Sequence, residues 1–220
     1  MKKICTLLLT FSMALSLAAC GGNSGNAASG GSSSGGDAKV LRLSTHLSGD
    51  HSTMQMAAKF KEILVEKSGG SLDVEFYTDG QLGGQTENCE SLKSGTVDMT
   101  IIDTGTLANY NPKAGILDMP YLFASKDQAI AAVSGDVGQE FMSMVTESTG
   151  IRPISIQTIA FRNTLLKDKA IDSLADFQGV KVRIPENPSI EACFSALGAT
   201  PVAIPSGEAY TAVQTGVADG

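Results

Sequence analysis

The sequence contains no tryptophan, two histidines, four cysteines and 5% aromatic residues among its 220 positions. So few histidines and cysteines leave little material for a metal cluster. Basic residues are also scarce, because 16 lysines and arginines stand against 23 acidic residues and the formal net charge is −7. Nucleic-acid binding calls for a basic face, so this balance argues against it. With 42% hydrophobic and 18% charged residues, the chain is neither disordered nor fibrous.

Sequence motifs for catalysis are missing as well. No predicted strand is followed by a G-x-S-x-G elbow, a Walker loop or a G-x-G-x-x-G turn. His46 and His51 flank a loop at Ser48-Gly49, and the sequence has no third histidine to complete a metal site with them. We therefore expect no catalytic residue, no metal and no cofactor, and assign one of these histidines a structural or ligand-contacting role.

Two cysteines belong to the folded part of the chain. Cys89 stands at i, i+3 spacing from Leu92, and Cys193 lies beside Phe194 and Leu197. These surroundings predict that both are small core residues of helices. The alternative is a disulfide between them in an oxidising compartment.

The N-terminus predicts an export signal and a lipid anchor. Met1-Lys2-Lys3 is followed by an apolar run from Ile4 to Ala19, which is shorter than the ~20 residues of a membrane-spanning helix. Leu17-Ala18-Ala19-Cys20 resembles the lipobox of bacterial lipoproteins. That resemblance implies a signal peptide at 1–19, acylation of Cys20 and attachment to a membrane. The alternative is an ordinary secreted protein in which Cys20 is incidental.

Residues 20–38 are interpreted as the lipidated cysteine and a flexible tether. From Gly21 to Gly36 the chain is mostly glycine and serine, and such a segment cannot bury enough apolar surface to fold. Its typical reach is on the order of 20 Å. A tethered domain could therefore move freely beside a membrane.

The remainder alternates between strand and helix patterns. Strands are predicted at 40–45, 72–77, 99–102, 151–161, 180–184 and 200–204, and helices at 52–67, 84–94, 126–133, 137–147, 189–197 and 206–215. In the first helix, Met56, Phe60, Ile63 and Leu64 are predicted to form the apolar face. The alternation indicates an α/β fold with mostly parallel sheets.

One short segment occurs twice. Residues 91–98 (SLKSGTVD) resemble residues 212–219 (AVQTGVAD), and each contains a helix end, a glycine and an aspartate that opens a strand. This repeat predicts two lobes of similar structure, the first at 39–158 and the second at 159–220. The strand predicted at 151–161 crosses between them. In the first lobe a strand follows this aspartate, but here the chain ends after Asp219-Gly220. We therefore expect the second lobe to be truncated.

Two arginines are candidates for anion binding. Arg183 lies near the C-terminal end of a predicted strand, where open α/β sheets place their ligand crevices. Arg162 follows the predicted crossover strand in an apolar neighbourhood. A guanidinium matches a carboxylate through two hydrogen bonds. The alternative for each arginine is a structural ion pair.

At Val180–Gly220 the sequence resembles the substrate-binding proteins of tripartite ATP-independent periplasmic (TRAP) transporters of the DctP type. Further agreement comes from segments in the first lobe and after the crossover, namely Gln81–Gly84, Ser94–Asp98, Met119–Phe123 and Phe161–Asn163. The resemblance implies a two-lobed, periplasmic-binding-protein-like α/β receptor without enzymatic activity. Such a receptor closes over an organic acid, a dicarboxylate or sugar acid, and delivers it to an ion-gradient-driven permease.

The resemblance also implies a set of ligand-binding residues. Arg183 matches the arginine that pairs with the ligand carboxylate, Arg162 a second arginine of the cleft, and Asn187 a polar ligand contact. The others are Asp103 and Thr104, at the cleft edge of the first lobe, and His46, at the end of the first strand. An E-N-P motif that continues the family pattern after D-G is absent here. The alternative function is a ligand-presenting module for a membrane sensor kinase.

Overall fold

The computed structural model describes residues 38–158 and 160–220. The predicted signal peptide, Cys20 and nearly all of the tether lie outside these ranges, so those interpretations stay predictions. Within the two ranges, no helix has both the length and the hydrophobicity that crossing a membrane requires.

The first lobe is built on a three-stranded parallel sheet in the order β2-β1-β3. Its elements are β1 (Lys39–Thr45), α1 (Ser52–Lys67), β2 (Leu72–Tyr77), α2 (Gln85–Ser94) and β3 (Met99–Ile101). Leu43 of the central strand lies opposite both Phe76 and Met99. Because all three strands run the same way, their C-terminal ends meet at one edge of the sheet.

The second lobe repeats this pattern with a two-stranded parallel sheet. Its elements are a 3-10 helix (Leu174–Phe177), β4 (Lys181–Ile184), α5 (Pro188–Ala196), β5 (Thr200–Ala203), a 3-10 helix (Ser206–Glu208) and α6 (Ala209–Gln214). The α/β class with parallel sheets is therefore confirmed.

Between β3 and Gly150, the regular elements of the chain are all helices. They are two 3-10 helices (Thr104–Asn109 and Pro112–Asp118), which we call the paired 3-10 helices, then α3 (Lys126–Ser134) and α4 (Asp136–Thr149). The sequence patterns predicted α3 and α4 but neither 3-10 helix. Segments this short carry too few turns for an apolar periodicity to be recognised.

Each lobe has its own hydrophobic cluster. The first comprises Cys89, Leu107, Ala114, Phe141 and Val145, and the second Val180, Val182, Ile184, Ile190 and Ala199. Ile151 and Ile156 pack against the first cluster, whereas Leu166 packs against the second. The chain therefore passes from one core to the other between Ile156 and Leu166.

The strand predicted at 151–161 is wrong for the part of it that the structure describes. Residues 151–158 and 160–161 form no strand, and no backbone hydrogen bond joins them to another described segment. The apolar residues that suggested a strand, Ile151 and Ile156, are instead held by side-chain packing.

Two helix predictions need correction. Of the predicted apolar face of α1, Phe60 and Leu64 are half-buried, but Met56 and Ile63 are 46% and 38% exposed. The buried residues of the helix are Thr53, Met54 and Ala57. The helix predicted at 206–215 begins as a 3-10 turn in which Glu208 N–H donates to the Pro205 carbonyl at 3.0 Å. Ser206 and Gly207, at its start, have poor helix propensity.

The two folded-part cysteines are free thiols, so the disulfide alternative is wrong. Cys89 is fully buried, as predicted, and Cys193 is half-buried. Burial raises the pKa of the Cys89 thiol to about 11. A thiol in that state is not a nucleophile at neutral pH.

The two similar segments, residues 91–98 and 212–219, have similar backbone arrangements. The first lies at the end of α2. Gly95 takes the left-handed conformation at φ 74°, which ends the helix. Asp98 N–H then donates to the Arg42 carbonyl at 3.0 Å, and Asp98 Oδ2 accepts from Arg42 N–H at 2.9 Å. The aspartate thereby pairs with the central strand β1 through both backbone and side chain.

The second lobe repeats the left-handed glycine and the aspartate hydrogen bonds of this junction. Gly216 has φ 78°, Asp219 N–H donates to the Lys181 carbonyl at 2.7 Å, and Asp219 Oδ2 accepts from Lys181 N–H at 2.8 Å. Arg183 N–H donates to the Gly220 carbonyl at 2.6 Å. Asp219 and Gly220 thus lie beside β4 in the place that β3 has beside β1, so the two lobes share one plan.

The left-handed glycine of this junction gives a test of the fold. At Gly95 an added Cβ would meet no atom within 4 Å, so Gly95→Ala isolates the cost of the positive φ. We expect a loss of about 1–2 kcal/mol in the free energy of unfolding, measured by urea titration. Gly207→Ala is the control, because Gly207 also has open space but no positive φ. Equal stability of the two variants would contradict this account of the junction.

Candidate functional site

The predicted site residues come from the strand ends of both sheets. His46 directly follows β1, Asp103 lies two residues beyond β3, and Arg183 is the penultimate residue of β4. Ligands of open α/β sheets bind beyond the carboxyl ends of the strands. The topology therefore places these three side chains where an α/β receptor would hold its ligand.

Asp103 and Arg162 form an ion pair between the first lobe and the segment leading into the second. Arg162 Nη2 lies 3.0 Å from Asp103 Oδ2. The side chains are 57% and 27% exposed, respectively, so water screens the pair and its contribution to stability is small. Its consequence for the site is positional, because it brings Arg162 to the edge where Asp103 stands.

Gln85 holds Asp103 in place and was not predicted. Its Oε1 accepts from Asp103 N–H at 2.6 Å and its Nε2 donates to Asp103 Oδ2 at 3.2 Å. Thr106 Oγ1 also donates to Gln85 Oε1 at 3.1 Å. Gln85 directly follows Gly83-Gly84, so the Gln81–Gly84 motif stopped one residue short of it.

Arg183 is held by its own lobe. Its Nε donates to the Ile204 carbonyl at 2.8 Å and its Nη2 donates to Ser206 Oγ at 3.2 Å. Burial lowers the pKa of the guanidinium, the charge of Arg162 acts in the same direction, and Asp103 opposes both. An arginine nevertheless remains charged in a protein. The result is a half-buried, oriented cation with further N–H groups available for an anion.

His46 belongs to the same electrostatic neighbourhood. Burial lowers the pKa of its imidazole, and the charges of His51, Arg183 and Arg162 lower it further, whereas Asp103 raises it. The ring is therefore neutral near pH 7. Its Nδ1 is buried without a hydrogen-bond partner among the described residues.

Asn187 lies at the contact between the lobes and caps α5. Its Oδ1 accepts from the Ser189 and Ile190 N–H groups at 2.9 and 3.3 Å. The residue is 3% exposed, and its Nδ2 has no acceptor in the part of the chain that the structure describes. An added Cβ at Gly105 would overlap this Nδ2, so only glycine allows the approach. The oxygen of Asn187 is thus occupied by the helix, and its nitrogen is what it could offer to a ligand.

Thr104 contacts another side chain rather than open space. Its hydroxyl donates to Asp118 Oδ2 at 2.9 Å. Burial raises the pKa of Asp118, and the hydrogen bond from Thr104 opposes this shift. Thr104 therefore joins the two paired 3-10 helices, at whose ends these two residues stand.

Further contacts join the N-terminus of α5 to the first lobe. Ser189 Oγ donates to the Gly115 carbonyl at 3.4 Å, and Asn109 Nδ2 donates to the Glu186 carbonyl at 3.2 Å. Thr86 Oγ1 also donates to Glu186 Oε2. None of these residues was predicted, because contacts between lobes leave no local pattern in the sequence.

The charged and polar side chains of this cluster suit anion binding. Among the described residues, no group of three or more His, Cys, Asp or Glu side chains is placed to hold a metal ion. Arg183 is the oriented donor, Asp103 an acceptor and His46 a neutral polar group. The guanidinium of Arg183 can bind a ligand carboxylate, and Asp103 and His46 can bind hydroxyl groups beside it.

The family follows from comparison with known proteins. Residues 43–220 match the bacterial extracellular solute-binding protein family 7, also called DctP. The chain belongs to this family. The DctP-type resemblance seen in the sequence is therefore confirmed.

Two curated relatives show the level of similarity. A solute-binding protein of Roseobacter denitrificans is 35% identical over 177 residues, which is 80% of this chain and 54% of that protein. The C4-dicarboxylate-binding periplasmic protein DctP of Rhodobacter capsulatus is 31% identical over 82% of this chain and 54% of its own length. The chain thus spans about half the length of these relatives.

Solved structures agree with the two-lobed fold. The sugar acid binding protein of Advenella mimigardefordensis, in complex with galactonate, superposes with a TM-score of 0.78 at 27% identity, over 83% of this chain and 58% of that one. A TRAP periplasmic solute-binding protein of Roseobacter denitrificans with bound L-galactonate gives 0.77 at 32% identity, over 82% and 60%. The periplasmic-binding-protein-like fold is confirmed.

The contact between Gly115 and Ser189 can be tested for its role in holding the lobes together. An added Cβ at Gly115 would overlap Ser189 Oγ and stand 3.3 Å from Ala108 Cβ. We expect Gly115→Ala to lower the free energy of unfolding by about 1–3 kcal/mol, as overpacked sites do. Urea titration of the single variants and of the double variant with Ser189→Ala measures the coupling. The double variant should recover part of the loss, and additive effects would show that the two residues do not meet.

Proposed function

We propose that this protein is an extracytoplasmic receptor that binds an organic acid through Arg183 and delivers it to an ion-gradient-driven TRAP permease. The observation that carries the proposal is the half-buried Arg183 guanidinium, oriented by Ile204 and Ser206 at the C-terminal edge of β4. Arg162 and His46 stand in the same neighbourhood, since the charges of Arg183 and Arg162 both lower the pKa of the His46 imidazole, which burial lowers most. Asn187 Nδ2 and Asp103 are the further ligand contacts that we propose.

The chemistry of Arg183 fits a carboxylate ligand. A guanidinium presents five N–H groups in a planar fork. The Ile204 carbonyl and Ser206 Oγ accept from Nε and Nη2, so donors on the outer side stay available to a ligand. Prior orientation lowers the entropy that binding would otherwise cost. The half-buried position also strengthens a charge-assisted hydrogen bond relative to one in water.

The relatives support an acid as the ligand class. The proteins from Advenella and Roseobacter hold galactonate and L-galactonate, and the Rhodobacter relative is named for C4-dicarboxylates. All of these ligands carry at least one carboxylate. The permease partner is proposed on the same basis, since the structural relatives include TRAP solute-binding proteins.

Arg183→Lys tests the carboxylate contact. Lysine keeps the charge but loses the planar fork, so we expect affinity for the bound acid to fall by about tenfold or more, because charge-assisted bonds contribute about 1.5–3 kcal/mol each. Titration calorimetry with a panel of sugar acids and dicarboxylates measures the change. Arg152→Lys is the matched control, because Arg152 is exposed in the first lobe. Unchanged affinity in Arg183→Lys would show that Arg183 does not bind the ligand carboxylate.

We also propose that Cys20 carries a lipid that holds the receptor at the membrane surface. The support is the Leu17–Cys20 lipobox followed by a Gly/Ser segment. Cys20→Ala should move the protein from the membrane fraction to the soluble fraction, since acyl chains provide the anchoring free energy. Immunoblots of washed membranes measure this. Ser24→Ala, in the tether, is the control, and a Cys20→Ala protein that resists a salt wash would contradict the proposal.

A further inference from the structure

We propose that the Asp103–Arg162 pair makes the site selective for acids with one carboxylate and several hydroxyl groups, and that it disfavours dicarboxylates. This inference rests on the proposed function, because it refines which acid the Arg183 site takes. It assigns Asp103 a role in specificity: the carboxylate neutralises one of the two cations at the site and offers an acceptor to a ligand hydroxyl.

The first argument is the balance of charge. Arg183 and Arg162 supply two positive charges, and Asp103, 3.0 Å from Arg162, cancels one of them. Burial keeps the His46 imidazole neutral, so it adds none. One positive charge therefore remains, on Arg183, and one ligand carboxylate neutralises it. Any negative charge on Asp118, which influences the same neighbourhood, acts against a second anion.

The second argument is the free oxygen of Asp103. Its Oδ2 accepts from Arg162 and from Gln85, whereas its Oδ1 has no hydrogen-bond partner among the described residues. The side chain is 27% exposed, so this oxygen remains within reach of a ligand. A carboxylate oxygen accepts hydrogen bonds only, so it would bind a hydroxyl group and repel a second carboxylate.

The third argument concerns the position of Asp103. Gln85 receives its backbone N–H and donates to its side chain, and Thr106 orients Gln85 in turn. Because Gln85 and Arg162 both donate to its carboxylate, Asp103 cannot easily turn away from an incoming anion. Discrimination then arises from the unpaired negative charge that a dicarboxylate would leave in a partly desolvated cleft.

The experiment compares two acids that differ in one terminal group. D-Galactonate and galactarate share their carbon skeleton and internal hydroxyl groups, but galactarate has a second carboxylate where galactonate has a hydroxymethyl group. We expect the mature receptor to bind galactonate at least about tenfold more tightly than galactarate, measured by titration calorimetry. The same titrations at higher salt should narrow the ratio, because salt screens the repulsion.

Asp103→Asn removes the negative charge and keeps the shape of the side chain. It should weaken galactonate binding and reduce the galactonate-to-galactarate preference by about tenfold. Arg162→Gln should act in the opposite sense and increase the preference, because it leaves Asp103 unneutralised. Asp127→Asn is the control for net charge, since Asp127 is exposed on α3, and the preference should not change. Thermal melts report whether each variant folds.

The outcomes separate this inference from the proposed function. Suppose that both acids bind in a way that depends on Arg183, and that the native protein and Asp103→Asn show the same preference between them. This result would overturn the inference but would still support an acid receptor. A native preference for galactarate would do the same. Failure of the native protein to bind any acid of the panel would overturn the proposed function and the inference with it.

Discussion

The carboxylate of Asp103 is the contact on which the site depends, because it joins parts of the chain that are far apart in sequence. It accepts from Gln85 at the start of α2 and from Arg162 beyond the crossover, and its charge reaches His46 and Arg183. A single acidic group can do this because it follows β3, at the edge where the strands of a parallel sheet all end. Both the orientation and the charge balance of the cluster follow from that position.

The contact between the lobes has a different physical basis. The N-terminus of α5 packs against the paired 3-10 helices, where Gly105 and Gly115 leave room for Asn187 and Ser189. Close approach of backbone and side chain is possible there only because both glycines lack a Cβ. Polar groups, among them Asn109 and Glu186, form hydrogen bonds at the same contact. Tight packing and polar hydrogen bonds therefore occur together at this contact.

The similarity of the two lobes extends from sequence to backbone. In both, a left-handed glycine follows a helix, and an aspartate forms hydrogen bonds with the backbone N–H and carbonyl of one strand residue, Arg42 in β1 or Lys181 in β4. In both lobes the chain must leave a helix and come alongside a strand of the sheet within a few residues. Glycine permits the turn, and the aspartate satisfies the first backbone groups of the edge.

The sequence by itself determined the class of fold, most element boundaries, the repeated junction and the family, because these rest on local periodicity, glycine positions and motifs. It also placed His46, Asp103 and Arg183 at strand ends. Only the tertiary structure decided that Arg162 pairs with Asp103, that Gln85 holds Asp103 and that Asn187 caps α5 beside Gly105. It also showed that residues 151–158 form no strand and that α1 buries Met54 and not Met56. These features arise from contacts between distant segments, and no pattern within either segment encodes which partner the other will bring.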